Sequence, residues 1–290
     1  MKPEAATDIP VRQLLVDLSA GFPRHWHGSD PYPSHFMNSF SMLLPLGEQY
    51  VIEIARRCQP ALQAAGHVAL SQDVLGFIGQ ESAHRRVHAS YNRVLAEQGY
   101  SGTVEQLLEA QLNLFRRRGL TTQLAVGAAI EHWTTSMGDY QLRNTAWAAR
   151  MAEPLRTIWD WHAAEESEHK SVLFDLYRFS GGGWLRRCAV FAGISLVLLF
   201  DLAFQQTSML RRDRVLLRLS TSLSALRYWW GRGGMGWHLL PRLLAYFRPG
   251  FHPLRQDNRD LIEIWRRDHA ACYRVLRSPP AAAAETVEPT

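Results

Sequence analysis

The chain has 290 residues, 47% of them hydrophobic and 20% charged, which excludes wholesale disorder and leaves room for one large domain or two small ones. Lysine and arginine number 32 against 27 aspartate and glutamate, a net charge of +5. That total hides an asymmetry, because residues 1–177 carry 15 basic and 19 acidic side chains (net −4) while residues 178–290 carry 17 and 8 (net +9). A cation site belongs in the acidic part, and the basic part faces something anionic.

Residues 1–35 are rich in Pro, Gly and His and show no sustained period, so an irregular lead-in is expected there, with one short helix near Val11–Leu18. The helical period then dominates. A first helix is expected after Pro45, from Glu48 to Arg57, with SFSMLL as an earlier helical piece. A second spans Asp73 to Gln98, with Ser71 as N-cap and Gly99 as its stop. A third covers Thr103–Arg118 and ends at Gly119. The fourth starts at Thr121 or Thr122 and reaches Met137, and a short fifth covers Asp139–Met151. The sixth runs from near Pro154 to Phe179 and ends at Gly181-Gly182-Gly183. This triple glycine marks the best boundary.

Beyond it the character changes. Between Arg187 and Arg211 the only charge is Asp201, and Cys188–Phe200 has none. Thirteen apolar residues fall short of the roughly 20 that a membrane-spanning helix needs. A buried helix and a membrane-associated one both remain open, the second with Arg186, Arg187, Arg211, Arg212, Arg214 and the aromatic stretch Tyr228–Trp237 at headgroup level. A last helix is expected over Arg259–Leu276, then a low-complexity tail. The expected division is 1–35 lead-in, 36–180 helical bundle, 184–277 helical apolar and basic extension, and 278–290 disordered tail. Three scattered cysteines imply no disulfide framework, and MKPEAATDIP lacks an apolar signal segment. The expectation is a cytoplasmic protein, held in one reading at the inner face of the membrane. Arginines alternate with apolar runs and no nucleic-acid-binding motif appears, so no nucleic-acid partner is expected.

The chemistry lies in Glu and His at helical spacing. GQESAHRRVH puts Glu81 and His84 at i and i+3 on one face. WHAAEESEH puts His162, Glu166 and His169 at i, i+4 and i+7. Glu48 in PLGEQYV and Glu131 in AAIEHWT are solitary carboxylates in apolar settings, where an unpaired charge is costly. In chain order this reads Glu, Glu-x-x-His, Glu, Glu-x-x-His, the ligand order of a ferritin-like di-metal carboxylate bundle. Four carboxylates neutralise two divalent ions, and an imidazole on each suits iron, with manganese as the alternative. The candidate metal ligands are therefore Glu48, Glu81, His84, Glu131, His162, Glu166 and His169. His88 and Glu165 are possible further ligands or supports, Asn92 and Asp175 candidates to orient imidazoles, and His132 is read as structural.

QESAHRRVHASYN, AAIEHWT, WHAAEESEHKSVLFDLY and YFRPGFHP resemble a bacterial family labelled predicted metal-dependent hydrolases, over roughly residues 30–260, and LPLGEQY resembles that family's first-helix Glu motif. The resemblance implies a metal and proposes hydrolysis. The ligand order, with His162 as third imidazole, is also similar to that of di-iron arylamine N-oxygenases, which implies that oxygen chemistry is feasible and that His162 ligates iron. Three functions follow as expectations. The first is a di-iron oxidase or oxygenase using O2 and an external electron donor on an apolar or lipid-like small molecule. The second is a metal-dependent hydrolase. The third is a non-catalytic metal-binding or membrane-surface protein.

Overall fold

The computed structural model describes residues 9–100 and 102–277. Their secondary structure is almost entirely α-helical: α1 Pro31–Ala64, α2 Val68–Glu97, α3 Thr103–Arg116, α4 Leu120–Arg143, the short α5 Thr145–Ala148, α6 Leu155–His169, α7 Val172–Phe179, α8 Trp184–Arg212, α9 Leu219–Trp230, α10 Met235–Ala245 and α11 Arg259–Asp268. A two-stranded ribbon, β1 Val11–Leu14 and β2 Tyr273–Arg277, completes them. The low-complexity stretch 278–290 lies outside the described residues.

The first helix differs most from expectation. Pro45 does not open it but sits in its middle, and the start is fixed earlier by Pro31 and by the Asp30 side chain, which accepts from the Tyr32 N–H. An interior proline lacks the N–H that would bond the carbonyl four residues back. Here that carbonyl belongs to Ser41, and Asn92 of α2 supplies the missing donor, its Nδ2 lying 2.9 Å from the Ser41 oxygen. Ser71 likewise lies inside α2 and donates its hydroxyl to Gln59 Oε1 at 2.6 Å rather than capping. Gly99 does stop that helix, with φ at +89°.

Two other boundaries move. α4 continues through Asp139, which was expected to begin a separate helix; its buried carboxylate meets Arg143, His238 and Arg242 at 2.9, 2.9 and 2.7 Å. The expected sixth helix divides between His169 and Val172. At the interruption the Lys170 ammonium is buried and donates to Gln256 O and Asn258 Oδ1, 2.7 and 2.6 Å away. Burial pulls its pKa down to about 8.

The expected helix near Val11–Leu18 is a strand, and the last helix stops at Asp268. β1 runs antiparallel to β2, with Leu14 opposite Tyr273 and Val11 opposite Arg277. Four residues are too few for a period of two to be read from sequence. Their alternation nonetheless turns Arg12 and Leu14 inward.

α1 packs along α2, and α4 along α6 and α7. Gly138 lets α4 and α6 approach closely, since a Cβ there would stand 3.0 Å from Ala163 Cα. α8 lies across α4 and α1. The described part of the lead-in is tied to the end of α8: Asp213 accepts from Arg24 at 2.6 Å and from Tyr100 at 2.8 Å, and the rings of His25 and His35 lie 2.7 and 2.8 Å away. These three groups could geometrically hold a metal ion. The Arg24 guanidinium already neutralises that carboxylate, however, so the cluster reads as a fastening.

Candidate metal centre

α1, α2, α4 and α6 each turn their candidate ligands inward. Glu48, Glu81, His84, Glu131, His162, Glu166 and His169 are all buried, none more than 4% exposed. Glu81, His84, Glu166 and His169 each offer one donor atom within 4.8 Å of the others, and Glu48, His88 and His162 form a second such group. Both could hold a metal ion. Glu166 joins them: its Oε1 is 3.1 Å from His162 Nε2, 3.6 Å from His84 Nδ1 and 3.9 Å from His169 Nε2. Its other oxygen accepts from the Thr134 hydroxyl. Glu131 Oε2 stands 3.0 Å from His169 Nδ1, and Glu81 Oε1 stands 3.0 Å from His169 Nε2.

Concentrating four carboxylates in a dry space has electrostatic consequences. Burial, then repulsion from Glu81, pushes Glu48 well above the usual carboxylate range. Burial and the neighbouring Glu166 push Glu131 up to about 8. Burial opposes ionisation of Glu81 too, but the His169 and His84 imidazoles outweigh it and hold that carboxyl low. In turn burial works against charge on His84, yet Glu165 and Glu81 raise it to about 10. Both Glu48 oxygens are buried and make no hydrogen bond among the described residues. Leaving a buried carboxyl unpaired is expensive unless a cation meets it.

Two outer networks fix the imidazoles. Glu165 Oε2 lies 3.0 Å from His84 Nε2, which leaves His84 Nδ1 turned toward Glu81 and Glu166. Glu165 is anchored by Arg12 of β1 at 3.0 Å, and Arg12 also binds Glu168 at 2.8 and 2.9 Å. The second network starts at Pro45. Because Asn92 Nδ2 donates to the Ser41 carbonyl, Asn92 Oδ1 must accept, and the Ser41 hydroxyl donates to it at 2.8 Å. Ser41 Oγ then accepts from His88 Nδ1 at 2.9 Å. His88 is neutral, since burial drives its pKa well down, so its Nε2 accepts from His162 Nδ1 at 2.9 Å. His162 is left with a lone pair on Nε2, aimed at Glu166. His88 therefore spends both ring nitrogens on this relay, which leaves Glu48 and His162 as the metal donors of the second group.

Arg12, Ser41 and Thr134 were not among the sequence candidates. Of these only Ser41, four residues before Pro45, carries a local sequence signal, the carbonyl that a proline in a helix leaves unpaired. His132 lies outside the cluster, its Nε2 3.0 Å from Arg242 O and its ring against Tyr246. Asp175 pairs with His252 at 3.0 Å, also apart from the centre.

A cavity of about 70 Å³ begins at Glu48, Glu81, Glu131 and Glu166. It extends between α3 and α8, lined there by Leu108, Leu112 and Phe115 on one side and Ile194, Val197 and Leu198 on the other. One polar pair interrupts these walls: Gln111 donates to Asp201 Oδ1 at 3.1 Å. An apolar ligand suits this lining better than a charged one.

The family model described as "Predicted metal-dependent hydrolase" matches residues 10–257. No curated protein and no solved structure matches the chain. The buried Glu and His groups fall within the matched span and supply donors of the kind that such a family requires. The chain belongs to the family of predicted metal-dependent hydrolases.

Proposed function

We propose that α1, α2, α4 and α6 form a ferritin-like bundle in which Glu48, Glu81, His84, Glu131, His162, Glu166 and His169 hold two divalent ions, and that the centre hydrolyses an ester or amide with an apolar acyl part. The carrying observation is Glu48, a buried carboxylate with no hydrogen-bond partner facing three more carboxylates. Two divalent cations would balance the four, and the donor set of carboxylates with three imidazoles fits iron or manganese. Bound there, metal supplies a Lewis acid and an activated water. The chain's own part is positional. Thr134 fixes one oxygen of Glu166, Glu165 fixes the ring of His84, and the walls of α3 and α8 exclude bulk water from the acyl part. Protein stripped with chelator and reloaded is expected to cleave p-nitrophenyl acyl esters at least about 100-fold faster than the stripped form. Equal rates would end this reading.

A second reading, oxygen activation with an external electron donor, is favoured by the carboxylate-rich donor set beside a dry cavity. Adding O2 to the anaerobically reduced, iron-loaded protein separates the two. Oxygen uptake with a transient visible band supports oxidation, and the absence of both leaves hydrolysis.

The relay makes its own prediction. Ser41→Ala removes the acceptor that sets the His88 tautomer, and through it that of His162. Metal affinity is expected to fall about 10–100-fold with unchanged far-UV circular dichroism. Calorimetric titration with Fe(II) or Mn(II) checks it, and wild-type affinity would show that the relay does not position His162.

A further inference from the structure

α8 is amphipathic the wrong way round for a helix facing water. Its exposed stripe recurs at helical spacing as Leu185, Ala189, Leu196, Leu199, Phe200 and Phe204, with no charge among them. Leu196 is 71% exposed and Phe200 59%. Between its arginine-bearing ends, Arg187, Asp201 and Gln206 point inward instead. Arg187 donates to Phe251 O and Arg248 O at 3.3 and 2.6 Å, Asp201 accepts from Gln111, and Gln206 donates to Tyr32 O at 3.1 Å. Only 28% of the most apolar 18-residue window is buried, which sets this helix apart from a core helix. Soluble surfaces rarely show so long an apolar stripe without a partner.

We propose that the outer face of α8 docks on an anionic lipid bilayer and lies in its interface. Charge and aromatic placement choose this occupant. Exposed Arg211, Arg212 and Arg218 crowd the C-terminal end of α8 and the turn that follows, where phosphate headgroups would be met. Trp184 at the other end is 45% exposed, and Trp230 and Trp237, rings 5.0 Å apart, are 47% and 61% exposed. Tryptophan favours that interfacial level. Helix length alone would allow a span. Spanning would pull Arg187, Asp201 and Gln206 away from partners that they bond, so the helix lies flat. The inner side of the same helix forms the cavity wall through Ile194, Val197 and Leu198. Docking therefore places the cavity one helix away from the lipid and makes a bilayer-dissolved acyl compound the substrate class. That last step rests on the proposed function, whereas the docking does not.

The test is co-sedimentation of the full chain with vesicles of phosphatidylcholine, with and without phosphatidylglycerol, and metal content measured on the same preparations. Binding to the anionic vesicles is expected, stronger at low salt. Phe200→Ser with Phe204→Ser should weaken it at least about tenfold, without loss of metal or helical signal. Arg211→Gln with Arg218→Gln should weaken it roughly 20-fold on anionic vesicles only. Protein that stays in the supernatant with every vesicle, or a Phe200/Phe204 variant that binds like wild type, overturns the docking. So does a dimer that this variant dissolves, since a second copy would then cover the face. Docking by a protein that takes up no metal would sink the metal centre and leave the docking standing.

Discussion

Glu166→Ala is expected to empty the centre of both metal ions and to abolish activity. One oxygen of Glu166 is the point toward which His162, His84 and His169 all converge, at 3.1 to 3.9 Å. No other carboxylate among the described residues meets three imidazoles. Truncation removes the one carboxylate that these rings share and frees the Thr134 hydroxyl that holds its second oxygen. Outer supports of a metal site typically change affinity 10–100-fold, so loss of a shared donor should exceed about 100-fold. Elemental analysis of the purified variant reads the loss, with circular dichroism as the check on folding. Two ions per chain retained in Glu166→Ala would contradict the assignment outright.

Arg12→Leu is expected to give the largest loss of stability. The guanidinium is 2% exposed and neutralises Glu165 and Glu168 together. It also lies over the rings of Trp265 and Tyr273, 5.5 and 5.1 Å from their centroids. Removing one side of a buried ion pair strands the other, at a cost of about 3–5 kcal/mol. For a chain of this size that amounts to a Tm lower by about 10 °C. The pH dependence follows from Glu168. Burial pushes its pKa up, but Arg12 and Arg266 outweigh that and hold it below the ordinary carboxylate value of 4.5. This pairing therefore stabilises the fold fully above that value and is lost as pH falls through the depressed one. In Arg12→Leu the gap between wild type and variant should narrow on acidification. Urea unfolding at neutral and acidic pH measures it, and a gap that widens toward acid would refute the pairing.

The clustering of the candidate Glu and His side chains could be read in advance because its information is local. Glu81 and His84, and His162, Glu166 and His169, lie within two turns of one helix, so spacing alone puts each group on one face. Glu48 and Glu131 stood out through their apolar neighbours. What holds those residues was not readable. Arg12 reaches Glu165 across more than half the chain, through a strand too short to show a period. Pro45 looked like the start of a helix, because local rules place prolines at first turns. The structure keeps it inside α1, since Asn92 answers the carbonyl that it strands. The split after His169 and the continuation of α4 through Asp139 likewise depend on distant partners, Asn258 and Arg242. The uncharged run of α8 was recognised, but only the packing showed which of its faces the rest of the protein leaves uncovered.

The β1–β2 ribbon bears on how such a molecule is made. Arg12 leaves the ribosome long before Tyr273, which covers it, because most of the described residues lie between their two strands. Contacts between such distant segments close late, after the entropy of the long intervening loop has been overcome. During synthesis Glu165 and Glu168 can already meet Arg12, but its outer side stays open to water until Trp265 and Tyr273 arrive. A chain released before the second strand should carry all seven candidate ligands and still hold His84 loosely. Metal loading would then follow, and report, the pairing of the second strand with the first.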